Sequence, residues 1–231
     1  MAQEEIIKTR RTELLIKILI VTAFSIAFAY IESAVVVYLR AIFHPNGFTF
    51  PLTEIPTIEQ WGKLLGTEIG REAATIVLIL TSCWLFGRNK RQRLAWFLII
   101  FAVWDIFYYV WLKVLLDWPA SIMDWDVLFL IPTIWASPVL APVLVSLTMI
   151  CFALVSLMTE RRFKLKVSML DWFGYLLAAV VIIVSFCLGG LHIDKPNYHE
   201  YFSWPLFAAG EAVAIAVFIK CLLRSRWTAR I

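Results

Sequence analysis

The amino-acid sequence predicts an all-α, polytopic membrane protein that folds as one bundle of six transmembrane helices over residues 1–231. Apolar side chains make up 61% of the chain and charged side chains 16%, with a mean hydropathy of +0.81, which excludes an ordinary soluble domain. The apolar residues fall into runs of roughly 20, the length of helix that crosses a bilayer. Short polar loops separate these runs, so we expect six helices and one domain.

The first transmembrane helix is predicted over residues 18–39, after a basic N-terminal segment. Glu32 lies inside this apolar run, and Arg40 follows at its far end. An ionised side chain at the centre of a bilayer costs about 3 kcal/mol or more, so Glu32 should face other helices or a wet cavity.

A short interfacial helix is predicted before the second span, because residues 57–60 match a capping box. The second span ends near Gly87 and carries Glu68, Arg71 and Glu72 among its apolar residues. Small residues recur every four positions on the opposite side, at Gly62, Gly66, Gly70 and Ala74. We therefore expect one side of this helix to pack closely against a neighbour and the other to form the wall of a polar site.

The third helix is predicted over residues 94–116, and polar side chains form a stripe along it. Asp105, Tyr109 and Lys113 are spaced four residues apart and so share one face, with Tyr108 beside them. Because these side chains are costly against lipid, the stripe should face inward.

The segment 127–158 is longer than one span and contains Pro132, Pro138 and Pro142 near its start. Proline removes a backbone donor, so the fourth helix is predicted to be broken at its outer end, where it could line a cavity beside Trp135. The fifth and sixth helices are predicted over residues 170–191 and 204–223.

Lysines and arginines predict the orientation of the bundle. Sixteen of the 21 lie in the two tails and in the second and fourth loops, and short cytoplasmic loops carry an excess of these residues. Both termini are therefore predicted to be cytoplasmic, in a bacterial-type inner or plasma membrane. The basic face would meet anionic membrane lipids, and we find no patterned nucleic-acid site.

Acidic side chains from four helices converge in the outer half of the membrane under this orientation. The candidate metal ligands among them are Glu32, Glu72, Asp105 and Glu211. Carboxylate oxygens on facing helices suit a divalent cation, which is the one cofactor that the sequence favours. The histidines lie outside the predicted spans, and phosphate-binding glycine loops are lacking, so haem and nucleotides are not expected.

The leading functional hypothesis is a membrane-embedded, cation-dependent enzyme that acts on a lipid-like or amphipathic substrate from the outer leaflet. The predicted catalytic residues are Asp105, Glu72 and Tyr109, and the predicted substrate-binding residues are Arg71, Tyr108, Lys113 and Trp135. Buried acids near mid-membrane also suit a proton- or cation-coupled transporter. A third possibility is a structural subunit of a homo-oligomer or larger membrane complex, in which the acids only pair with basic residues.

Overall fold

The computed structural model describes residues 2–45, 47–52, 58–160 and 165–227, and within them six helices are long and apolar enough to cross a membrane. In chain order they are α1 (Ala2–Phe43), α2 (Ile58–Phe86), α3 (Lys90–Leu116), α4 (Leu140–Thr159), α5 (Met169–Gly190) and α6 (Trp204–Trp227). A short 3-10 helix (Tyr198–Glu200) precedes α6. The predicted number and apolar character of the helices are confirmed.

The segment before α4 is a β-hairpin and not a proline-broken helix. Strand β1 (Trp125–Phe129) pairs antiparallel with strand β2 (Trp135–Pro138), so the all-α prediction missed this element. Pro132 lies in the connection between the strands, outside any helix. Pro142 lies in the first turn of α4, where a backbone N–H has no intrahelical partner and its loss costs little. β-branched and aromatic residues between the prolines favour strands.

Two other helix boundaries differ from the sequence predictions. Helix α1 begins at Ala2, because the basic N-terminal segment continues the helix instead of preceding it. The predicted interfacial helix is, from Ile58 onward, the first turns of a continuous α2. Thr57, its predicted cap, lies outside the described residues.

The glycines of α2 do not mediate close helix packing within the described part of the chain. A Cβ atom added at Gly62, Gly66 or Gly70 would meet no atom within 4 Å, so the predicted packing face is an open side of α2. Close approach occurs instead at the end of α5. A Cβ at Gly189 or Gly190 would overlap backbone carbonyl oxygens of the hairpin segment, which therefore packs at backbone distance against α5.

Helix α3 holds the first half of the bundle together. It packs against α1, α2 and α4 and is the most buried of the six spans. Around Trp96 and Ile100 these four helices form one apolar cluster, in which van der Waals packing between the helices stabilises the bundle. A second cluster, around Trp125 and Phe186, joins the hairpin to the α5–α6 pair. The candidate site lies between these two halves.

Candidate functional site

A cavity of about 600 Å³ lies inside the bundle, lined by side chains from all six helices and both strands. Along α3 the lining runs from Phe97 to Tyr109, which corresponds to about 18 Å of helix at 1.5 Å per residue. Small-molecule sites usually have volumes of about 300–1,000 Å³, so this cavity is large enough to hold a ligand.

Apolar side chains form most of the cavity wall. Phe101 and Trp104 of α3 line the cavity, as do Ile182 and Phe186 of α5 and Val145 of α4. Polar side chains interrupt this wall at a few places, and each of those places is built by contacts between different elements. An apolar cavity with a few convergent polar groups is the usual form of a site for a small organic molecule.

Arg71 of α2 joins two buried carboxylates. Its guanidinium pairs with Glu32 of α1, and its Nε donates a hydrogen bond to Glu68, one turn earlier, at 2.7 Å. Thr75, one turn later, donates from Oγ1 to the second oxygen of Glu32 at 3.3 Å. The spacing of three to four residues places Glu68, Arg71 and Thr75 on one face of α2, and that face meets α1.

Glu72, on the same face of α2, holds the hairpin. Both of its carboxylate oxygens accept a hydrogen bond from the backbone N–H of Leu130, at 3.1 and 3.0 Å. Leu130 directly follows β1, at a point where the strand ladder has ended. Glu72 therefore accepts a hydrogen bond from a backbone N–H group that has no partner in the hairpin ladder, and this bond connects the hairpin to α2.

Arg40 of α1 pairs with Asp126 of β1 at 3.1 Å between Nη2 and Oδ1. The Arg40 guanidinium also lies over the rings of Phe48 and Trp118, at 4.0 and 3.8 Å from their centroids. Asp126 is only 2% exposed, and its other oxygen, Oδ2, has no hydrogen-bond partner among the described residues. Burial raises the pKa of the Asp126 carboxyl, and the neighbouring Arg40 charge opposes that shift.

Two further carboxylates accept hydrogen bonds from hydroxyl groups of α4. Ser146 Oγ donates to Asp105 of α3 at 2.9 Å, and Thr148 Oγ1 donates to Glu211 of α6 at 2.8 Å. Both bonds connect different helices. Hydroxyls in helices most often bond to their own backbone four residues earlier, so these two are directed by tertiary packing.

Negative charge exceeds positive charge around the cavity. Among the described residues that line it, the acids are Glu32, Glu68, Glu72, Asp105, Asp126 and Glu211, and the guanidinium groups are Arg40 and Arg71. Six acids and two guanidinium groups leave four acids in excess. An uncompensated charge in an apolar interior is costly, so a proton or a cationic group must offset this excess.

Two buried indole groups in the cavity wall also lack partners. Nε1 of Trp104 and Nε1 of Trp135 have no hydrogen-bond partner among the described residues. Phe129 lies between the two rings, with centroid distances of 6.4 Å to Trp104 and 5.4 Å to Trp135. An unsatisfied buried donor costs about 1–3 kcal/mol, which an acceptor on a bound molecule would recover.

The structure brings together all of the predicted site residues except Lys113. Those that line the cavity are Glu32, Arg71, Glu72, Asp105, Tyr108, Tyr109, Trp135 and Glu211. The Tyr108 and Tyr109 rings pack edge to face, with their centroids 4.9 Å apart. Lys113 points away: its side chain is 49% exposed and pairs with Asp117 at 2.7 Å. Lys113 shares the face of Asp105 and Tyr109, but it lies in the last turn of α3, beyond the cavity.

The geometry does not support the predicted metal site. Within the part of the chain that the structure describes, no group of three His, Cys, Asp or Glu side chains could hold a metal ion. Each of the four predicted ligands instead has a partner within the protein: Arg71 for Glu32, the hairpin backbone for Glu72, and α4 hydroxyls for Asp105 and Glu211.

Ser146 and Thr148 could not be identified from the sequence, since a hydroxyl in an apolar helix gives no signal of its partner. Asp124 and Asp126, which precede the fourth helix in the sequence, do not cap it. The residue at the N-cap of α4 is Val139, without a side-chain cap. Asp124 instead accepts hydrogen bonds from the backbone of Ala120 and Ser121, and Asp126 lies in β1 with its carboxylate at the cavity.

Comparisons of this chain with protein-family models, with curated proteins and with solved structures find no match.

Proposed function

We propose that this chain is an integral membrane protein that binds a lipid-like or amphipathic molecule inside its helix bundle. One observation carries the proposal: a cavity of about 600 Å³ with mostly apolar walls and a limited set of buried polar groups. The apolar wall suits a hydrocarbon chain, and the polar groups would fix and orient a headgroup. Six apolar helices support the membrane location.

The proposed orientation places both termini in the cytoplasm, in a bacterial-type inner or plasma membrane. The excess of lysine and arginine in the tails and in the second and fourth loops supports it. In this orientation the hairpin and the first turns of α2, from Ile58 to about Leu65, lie near the outer surface. Glu72 and Asp126 then lie in the outer half of the bilayer, so the amphipathic molecule would enter from the outer leaflet.

An enzyme that acts on this molecule is the first form of the proposal. Asp105 supports it, because its carboxylate accepts a hydrogen bond from Ser146 at 2.9 Å within the cavity wall. A carboxylate at this distance is placed to take the proton of a hydroxyl nucleophile, and Glu72 and Tyr109 line the same cavity as further acid or base groups.

A transporter of the same molecule is the second form. Its support is the length of the cavity, whose lining extends from Phe97 and Tyr175 at one end to His44 and Phe48 at the other. A site that reaches through much of the bundle could pass a substrate between the leaflets, with Asp105 exchanging a proton. A structural subunit of a larger membrane complex is the alternative to this proposal, because that role requires no bound amphipathic molecule.

Filling the cavity tests the proposal. Ala214 of α6 lines the cavity, whereas Ala212 lies on the exposed side of the same helix. Wild-type protein, Ala214→Trp and Ala212→Trp would be purified in the same mild detergent, and the amphipathic molecules retained by each would be counted by native mass spectrometry. We expect the wild type and Ala212→Trp to retain the same molecule and Ala214→Trp to lose it.

Equal retention by both tryptophan variants would contradict the proposal, as would the absence of a retained molecule in wild-type protein. Chemical conversion of the retained molecule by wild-type but not Asp105→Asn protein would identify the enzyme. Movement across liposome membranes without conversion would identify the transporter.

A further inference from the structure

The charges around the cavity indicate the polar part of the bound molecule. Glu72, Asp105 and Glu211 accept their hydrogen bonds from neutral donors, a backbone N–H and two hydroxyls. These bonds orient the carboxylates without neutralising them. A proton or a cationic ligand would offset this charge, whereas an anionic ligand would add to the excess.

Asp126 gives an independent indication of where a cation would bind. Its Oδ1 is taken by Arg40, while its buried Oδ2 has no partner in hydrogen-bond geometry among the described residues, with the Tyr108 hydroxyl near the carboxylate. Asp105, whose carboxylate accepts a hydrogen bond from Ser146, lines the same cavity. A donor that carries positive charge would satisfy Oδ2 and offset part of the negative charge around the cavity.

The wall beside these carboxylates is aromatic. Trp104 lies one residue before Asp105 on α3, and its ring is followed by those of Phe129 and Trp135. Aromatic faces attract cations and cover alkyl chains. The two indole N–H groups, which lack partners in the described part of the chain, would meet an acceptor such as a hydroxyl or carbonyl oxygen on the ligand.

We propose that the cavity selects an amphipathic amine, with its N–H-bearing ammonium group at Asp105 and Asp126 and its alkyl chain along the wall of Trp104, Phe129 and Trp135. This inference rests on the proposed function, since it names the class of molecule that occupies the same cavity. Because Oδ2 requires a donor, a primary ammonium should bind more tightly than a quaternary one, which has no N–H group.

Competition for the cavity tests this selectivity. Hexadecylamine with a diazirine at its chain end would be photo-crosslinked to the full-length protein in nanodiscs. Unlabelled hexadecylamine, hexadecyltrimethylammonium, hexadecanol and palmitate, which share one chain length, would then compete for crosslinking to cavity-lining peptides. We expect hexadecylamine to compete about tenfold more strongly than hexadecanol or palmitate, with the quaternary amine in between.

Two variants and one control assign the effect to the cavity carboxylates. Asp105→Asn and Asp126→Asn should each reduce the advantage of hexadecylamine over hexadecanol by about tenfold. Asp126→Asn also alters the Arg40 pair and so could prevent folding. In that case Asp105→Asn, whose partner is the neutral Ser146, provides the test. Asp117→Asn, on the exposed end of α3, should leave the advantage unchanged.

The outcomes separate this inference from the proposed function. If hexadecanol or palmitate competes as well as hexadecylamine, the cavity binds amphipathic molecules but does not select amines, and the inference is overturned alone. An advantage for the amine that persists in Asp105→Asn and in folded Asp126→Asn also overturns it. If the hexadecylamine probe does not label cavity-lining peptides, the inference is overturned alone. The proposed function is decided separately, by the molecule that wild-type, Ala214→Trp and Ala212→Trp protein retain.

Discussion

Replacing Arg40 with methionine removes the cation that faces Asp126 while retaining most of the apolar stem. The pair connects α1 to β1, and both side chains are buried. Removing one partner of a buried ion pair leaves the other charge without compensation, which typically costs 3–5 kcal/mol, so we expect the free energy of unfolding to fall by about that amount. The lost contacts with the Phe48 and Trp118 rings contribute to the same loss.

A double variant separates the ion pair from packing. In Arg40→Met with Asp126→Asn, the uncompensated carboxylate is gone, so the combined loss should be smaller than the sum of the two single losses by roughly 0.5–3 kcal/mol. The penalty in Arg40→Met should also depend on pH. Asp126 already has a raised pKa in the folded protein because it is buried, and the loss of Arg40 raises it further.

Between the unfolded and the raised folded pKa of Asp126, the folded variant binds more protons than the unfolded chain, so its stability falls as pH rises. The destabilisation of Arg40→Met relative to wild type should therefore be larger at about pH 8 than at about pH 5. Unfolding by titration with sodium dodecyl sulfate in bicelles, followed by tryptophan fluorescence, measures these free energies. A loss below about 1 kcal/mol that does not change with pH would refute a buried ion pair at this position.

Three further predictions concern packing, orientation and the cavity wall. Gly190→Ala should destabilise the fold because its Cβ would overlap a hairpin carbonyl, whereas Gly66→Ala, with open space around it, should be neutral or stabilising by up to about 1 kcal/mol; equal thermal stabilities would contradict the close hairpin contact. Cysteines introduced at Asp117 and Lys90, at opposite ends of α3, should react with a membrane-impermeant thiol reagent from opposite sides of the membrane. In intact cells we expect the cysteine at position 117 to react and the one at position 90 to be protected; reaction at position 90 alone would exclude cytoplasmic termini. Trp104→Phe removes an indole donor that lacks a partner in the described chain, so it should leave stability within about 1 kcal/mol of wild type but weaken retention of an oxygen-bearing amphipathic molecule; unchanged retention would argue against that contact.

The helices could be predicted from sequence because the bilayer imposes their length and composition. Six apolar runs correspond to six helices, and acids that are costly against lipid do face inward, as at Glu32, Glu72 and Asp105. On the predicted polar stripe of α3, Asp105 and Tyr109 line the cavity, whereas Lys113 does not. The spacing of polar residues does not indicate where along the helix the cavity ends. At the end of α3, Lys113 instead pairs with an exposed carboxylate.

The hairpin and the partners of the acids could not be predicted in the same way. Prolines at positions 132 and 138 showed that a regular helix was interrupted, but their spacing did not distinguish a kink from two paired strands. The contact of Gly190 with the hairpin depends on a neighbour far away in sequence. Likewise, nothing in an apolar helix distinguishes Ser146, which meets Asp105, from a hydroxyl that bonds to its own backbone.

An experimental density map of the protein in a nanodisc supplied with hexadecylamine tests the central claim, that the cavity binds an amphipathic molecule, most directly. We predict an elongated density along the Trp104, Phe129 and Trp135 wall, with its polar end at Asp105 and Asp126. A cavity closed by its own side chains, or an open cavity that holds no elongated density, would contradict the claim.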